Sequence, residues 1–397
     1  MALKFLRSNP HRACSLQICY YARGRRKEYW EEEEAKSRNG LHIAASFGLW
    51  GLAEELLDSG ECDVKSLTKM GTTPLIVAAA NGHKTFIRML LDKGVDLVNE
   101  DWYGSALHCA AESGKLVGIS ELLSTGINVD LKDSHGCTPL HCATLSEHAH
   151  AMQSLLDHGT DVNAVDLHLY TPLRYAVVWK HHESILEVLL RNGADMEMRS
   201  GSGFTVLHLA ANMELKDLLL LLLNYGAEVD AKHLYGNVAL HFAAEQDNAD
   251  IVHILLERGA SIEARTFKGA TALCLAAQRG ADPTVNLLLE HGTNTYVAGN
   301  NQLTPLLHAR KEKHGNIIRA ILKARVGTKV QGEDGEIKLD FPFDGEFNES
   351  HRLLSQLEES RRPNIMRDLA LIHKMAEERS FGMSSHCTIL EHDSPPT

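Results

Sequence analysis

Thr138-Pro139-Leu140-His141 returns 33 residues later as Thr171-Pro172-Leu173, and the same Thr-Pro-Leu stands at Thr73-Pro74-Leu75 and Thr304-Pro305-Leu306. The leucine recurs even where its neighbours change: Leu41, Leu75, Leu107, Leu140, Leu173, Leu207, Leu240, Leu273 and Leu306, in steps of 32 to 34 residues. A period held so long describes a stack of one small unit, since so short a unit buries its apolar face only against its neighbours. Histidine follows the leucine in five copies, as His42, His108, His141, His208 and His241. Each copy closes on a paired aliphatic such as Leu155-Leu156 or Leu288-Leu289, with a glycine soon after, as in Gly94, Gly159 and Gly226.

Each copy reads as turn, helix, turn, helix, loop. Threonine caps the first helix, and proline suits its first turn, where a missing N–H costs nothing. Small residues behind the leucine (Ala78-Ala79, Ala110-Ala111, Ala243-Ala244) permit close stacking. The second helix carries the leucine pair and stops at a glycine free to take positive φ. A polar stretch such as Asp161-Val162-Asn163-Ala164-Val165-Asp166 then returns the chain. This pattern resembles the ankyrin repeat across residues 39–324. The resemblance implies an all-α solenoid of about nine helix-turn-helix repeats joined by β-hairpin loops, which holds a partner on its concave side. Residues 1–38 and 325–397 fall outside the period as separate segments.

Composition narrows the function. A net charge of −12 argues against a nucleic-acid footprint, which needs a basic face. No apolar run reaches membrane-spanning length, and Met1-Ala2-Leu3-Lys4-Phe5-Leu6-Arg7 carries no apolar stretch of the signal-peptide kind. The eight cysteines make no disulfide framework, so the chain reads as a monomer of a reducing compartment, the cytoplasm or the nucleus. Neither a phosphate-binding Gly-x-x-x-x-Gly-Lys-Ser/Thr nor a Gly-x-Ser-x-Gly elbow is present. No catalytic residue, cofactor or metal ligand is assigned. The one metal-like run, His135-Gly136-Cys137 through His141-Cys142 to His148 and His150, is dispersed by the repeat over hairpin, helix start and following turn, so its ligands do not converge.

The irregular copies are informative. The fifth has one extra residue near Trp179-Lys180-His181-His182, and a deletion precedes Leu107 around Trp102-Tyr103-Gly104. Such indels are ordinarily neutral in surface turns, yet both lie beside tryptophan. In an ankyrin-like stack the partner side is lined by hairpin tips, three to six residues before each motif leucine, and by inner-helix ends, five or six after it. Those slots hold Trp102, Tyr103, His135, His168, Tyr170, Trp179, Phe204, Met213, Leu234, Tyr235 and Phe267. Seven of the fourteen aromatics in residues 39–324 fall there, a concentration that suits interaction anchors. The competing reading is that these rings lie flat over neighbouring tips and stiffen the stack.

At the N-terminus, Arg23-Gly24-Arg25-Arg26-Lys27 precedes Glu31-Glu32-Glu33-Glu34, as in a salt-laced helix start more than a nuclear signal. The stretch from Phe5-Leu6-Arg7 through Ala13-Cys14-Ser15-Leu16-Gln17 into Gly40-Leu41-His42-Ile43-Ala44-Ala45-Ser46-Phe47-Gly48-Leu49 resembles the junction before the ankyrin array in fungal NACHT-type signalling proteins. At the C-terminus an acidic linker leads to Leu353, Leu354 and Leu357, then Ile365, Met366, Leu369 and Ile372 on one helical face; these predict a cap over the last repeat or a docking helix, before a disordered tail. The expected function is a non-enzymatic scaffold or adaptor for another protein. The rivals are the ligand-sensing arm of a NACHT-type nucleotide-switched protein and a substrate adaptor of a ubiquitin ligase.

Overall fold

The computed structural model describes residues 39–69, 71–97, 104–179 and 182–326. Outside it lie Trp102 and Tyr103, Lys180 and His181 of the fifth copy, the charged runs and junction of residues 1–38, and the expected C-terminal linker, helices and tail. The chain divides into two compact units, Met1–Leu234 and Tyr235–Thr397.

The first unit holds twelve described helices in consecutive pairs: α1 (Gly40–Phe47), α2 (Trp50–Asp58), α3 (Pro74–Asn81), α4 (Lys84–Asp92), α5 (Ala106–Glu112), α6 (Leu116–Leu123), α7 (Pro139–Leu145), α8 (Ala149–Asp157), α9 (Pro172–Val178), α10 (Glu183–Arg191), α11 (Val206–Asn212) and α12 (Lys216–Asn224). The second holds α13 (Ala239–Glu245), α14 (Ala249–Glu257), α15 (Ala272–Arg279), α16 (Asp282–Glu290), α17 (Pro305–Lys311) and α18 (Gly315–Val326). Within each unit the odd-numbered inner helices stack on one another, and the even-numbered outer helices form a second layer behind them. No strand occurs among the described residues, so the loops follow a hairpin path without a ladder. Four residues separate α9 from α10, against two or three in the other pairs, which places the extra residue in that turn.

The helix starts follow from the cap. Thr73, Thr171 and Thr304 sit in extended backbone and accept the N–H three residues on, at 3.1, 3.2 and 3.3 Å. Where histidine occupies that third position the cap becomes reciprocal: Thr138 N–H donates to His141 Nδ1 at 3.1 Å, and Thr205 N–H to His208 Nδ1 at 3.1 Å. The motif leucines are buried from Leu41 to Leu306. Burying a leucine contributes about 1.5–3 kcal/mol, so the period read along the sequence is the core itself. The alanines behind them are fully buried and hold the helices close together. Closeness is greatest at Gly118 of α6, where an added Cβ would stand 2.6 Å from the Ala79 carbonyl oxygen and 3.2 Å from Ala110 Cβ. In the outer layer Glu121 receives Lys84 at 2.9 Å and Arg88 at 2.6 Å; these hydrogen bonds, Arg88 first, lower its pKa.

Candidate partner-binding surface

Three registers of hydrogen bonds recur between neighbouring copies. In the first, His42 Nε2 meets the Thr72 carbonyl at 2.9 Å, His108 that of Cys137 at 3.0 Å and His141 that of Tyr170 at 3.0 Å. The fifth copy has arginine there, and Arg174 Nη1 donates to the Phe204 carbonyl at 3.0 Å. His141 is wholly buried, and that burial lowers its pKa to about 4. It is therefore neutral, with Nδ1 accepting from the cap and Nε2–H donating onward. In the second, Asp130 accepts from Asp161 N–H at 3.2 Å, Asn163 from Asp195 at 2.7 Å and Glu263 from Asn294 at 2.7 Å.

The third register lies at the hairpin tips. Asp133 and Asp166 each accept two backbone N–H bonds at 2.8–2.9 Å, the side-chain turn that shapes a tip. Tips then touch through backbone rungs: Leu167 N–H donates to the His135 carbonyl at 3.1 Å, and in the second unit Phe267 N–H donates to that of Tyr235 at 2.9 Å. The side chain that follows the rung rests on a glycine of the preceding tip. A Cβ on Gly136 would meet Leu167, one on Gly203 would come within 2.7 Å of Leu234, and one on Gly236 within 2.6 Å of Phe267.

The expected anchors fall into three groups. Tyr170 and Phe204 are half-buried and engaged: the Tyr170 ring lies 5.7 Å from buried Tyr175 with the Arg174 guanidinium 4.6 Å above it, and Phe204 lies 5.1 Å from His233. His135, Trp179 and Met213 are also half-buried, Trp179 as the residue ending α9. His168 and Leu234 are exposed in the first unit; in the second, Tyr235 and Phe267 are exposed at 70% and 67%. Leu234 and Phe267 thus lean on the preceding tip with one side and offer the other to solvent.

Two aliphatic residues share the tip with these rings. Leu167 and Leu169 occupy the same slots as His168 and Tyr170 and are exposed at 72% and 53%. Leu169 has a further peculiarity. Four residues before the motif leucine, Gly71, Gly136, Gly203, Gly236 and Gly269 have φ between 75° and 81°; at this register Leu169 takes φ 61° and Gln302 φ 62°, and Leu169 is the apolar one of the two. A leucine in left-handed backbone carries a steric cost that glycine avoids, and here it gains no burial in return.

A family model for ankyrin repeats matches residues 41–133, 97–166, 119–200, 173–266 and 240–334. The chain belongs to the ankyrin-repeat family. The ankyrin domain of Bcl-3, described as a unique member of the IkappaB family, is a similar solved structure: TM-score 0.51, 30% identity, covering 54% of this chain and 97% of that one. Ankyrin repeat and SAM domain-containing protein 6 of Mus musculus is 30% identical over 110 residues, and E3 ubiquitin-protein ligase KEG of Arabidopsis thaliana 30% identical over 111. Each match spans 27% of this chain but only 12% and 7% of those proteins. Ankyrin arrays are typically non-enzymatic modules that bind other proteins, and the coarse function follows from that.

The ankyrin stack uses the metal-like run of the third and fourth copies for structure. His141 spends both ring nitrogens on the cap and the next copy, and burial raises the Cys137 thiol pKa well above its usual range. No helix among the described residues is long and apolar enough to cross a membrane.

Proposed function

We propose that this ankyrin array is a scaffold or adaptor that grips another protein at its hairpin tips, with Leu167 and Leu169 as anchors in the first unit and Tyr235 and Phe267 in the second. The observation that carries the reading is Leu169: a large apolar side chain, exposed, in a backbone conformation for which five equivalent tips use glycine and one the polar Gln302. Strain without burial is a cost to folding, and such costs collect where a surface has work to do. The exposed rings of Tyr235 and Phe267 have the amphipathic, rigid character of interaction hot spots.

Photo-crosslinking tests it. A benzophenone amino acid placed at Leu167, Leu169 or Phe267 should capture one and the same protein from cells, whereas the same probe at the outer-helix residues Asp157 or Glu290 should not. With that partner purified, Phe267→Ala should weaken binding by about 2 kcal/mol, the scale of a hot spot. Capture from the outer helices alone, or unchanged affinity in Phe267→Ala, would remove the tips from the function.

A further inference from the structure

We propose that His253, Glu257 and His291 form a site for one transition-metal ion of the zinc, cobalt or nickel type, clasping two neighbouring outer helices of the second unit. His253 and Glu257 are four residues apart on α14, hence on one face, and His291 ends α16, the next outer helix. One ligand atom from each lies within 4.8 Å of the others, and the two imidazoles meet edge to face with centroids 6.1 Å apart. Small rotations about exposed side-chain bonds bring such atoms to the roughly 2.0–2.2 Å that zinc requires of nitrogen and oxygen.

Two further observations point to a ligand. His291 Nδ1 donates to the Leu287 carbonyl at 2.9 Å, which fixes the tautomer whose Nε2 lone pair is free to coordinate. A backbone carbonyl holding the far nitrogen is the usual outer support of a metal-bound histidine. The Glu257 carboxylate, meanwhile, forms no ion pair or side-chain hydrogen bond among the described residues. The register itself brings side chains together across copies: in the first unit the equivalent Asn192 donates to Gln153 at 3.4 Å. There the trio is Gln153, Asp157 and Asn192, with no imidazole; α14 and α16 replace two amides with histidines. Two imidazole nitrogens and one carboxylate select borderline metals over magnesium or calcium, which prefer all-oxygen shells. Exposure leaves the remaining coordination positions to water.

The test uses tag-free, chelator-treated full-length protein titrated calorimetrically with zinc chloride, with cobalt(II) absorbance as the spectroscopic probe. One equivalent should bind, with the weak visible bands of nitrogen and oxygen ligands and no thiolate charge-transfer band. His253→Ala with His291→Ala should abolish that binding, and Glu257→Gln alone should weaken it by about tenfold or more. Since all three residues are exposed, the metal-free variants should melt as the parent does. Absence of binding to the parent, binding that survives the double substitution, or equal binding of magnesium would each overturn the proposal.

Discussion

The two units tie their inner helices differently. In four copies of the first, the residue after the motif leucine reaches the carbonyl just ahead of the next cap, with nitrogen–oxygen distances of 2.9–3.0 Å from His42, His108, His141 and Arg174, while the second copy has the apolar Ile76 there. In the second, the same register turns further back: His241 meets the Ala264 carbonyl at 3.1 Å, and Cys274 meets that of Val297 at 3.6 Å. A thiol is a weaker donor than an imidazole N–H, and its sulfur is a weak acceptor for the cap, taking a hydrogen bond from the Thr271 hydroxyl at 3.5 Å. The leucine seam is common to both units, so the difference isolates what the polar tie adds to a stack already held by burial.

The sharpest way to break the comparison is His141→Ala. It leaves the Thr138 N–H and the Tyr170 carbonyl without their buried partner and opens a cavity, a combined loss of about 3–4 kcal/mol. All four tryptophans precede residue 235, so fluorescence reports on the first unit while far-UV circular dichroism reports on both. The fluorescence-detected urea midpoint should fall more than any change seen in the second unit. Equal losses by both probes would show the units to unfold as one.

Acid should act on the same tie. The folded pKa of His141 is about 4 against an ordinary 6.5, because burial disfavours the cation. Below pH 6.5 the unfolded chain takes a proton that the folded chain refuses, so the contribution present at neutral pH drains away down to about pH 4 and then levels off. That shift corresponds to roughly 3 kcal/mol for this one histidine. A positive charge at a helix N-terminus adds to the disfavour. Urea titrations at pH 7 and pH 5 should show the loss in the parent and a smaller one in His141→Ala. Burial, with Lys311 second, also lowers the pKa of His308 in the second unit, so that unit should weaken in the same direction.

Cys274→Ala is the matching change in the second unit and should cost only about 1 kcal/mol, for two weak sulfur hydrogen bonds and one sulfur atom. A loss as large as that of His141→Ala would mean that the tie matters little and the seam carries both cases. The smallest effect has the opposite sign. Leu169→Gly gives this tip the residue that the second unit has at Gly236 and Gly269, and should raise stability by roughly 0.5–1 kcal/mol while weakening partner binding. A stability gain with binding intact would show the strain to be incidental.

The leucine period carried the helices, their pairing and the buried seam directly, because local spacing and stacking contact coincide in a repeat. The extra residue near Trp179 was legible for the same reason. Contacts between copies were not. Arg174 standing in for the histidine and Leu167 lying over Gly136 each depend on where a neighbouring copy places its backbone. Leu167 and Leu169 stand in the same tip slots as His168 and Tyr170 and are exposed, although neither is aromatic. In the ligand set the opposite happened: a dense run of His and Cys is spread out by the stack, while residues 38 apart, His253 and His291, are brought together.

The imidazole ties also have a mechanical meaning. Each joins one copy to the next and reaches no further, so a pull on the two ends of a unit loads the interfaces in series, and the weakest yields first. Every copy that lets go frees about 33 residues, on the order of 110 Å of extended chain, before the next feels the full force. Under tension such an array lengthens in discrete steps, and the interface spanned by the Cys274 thiol is the one expected to slip first in its unit.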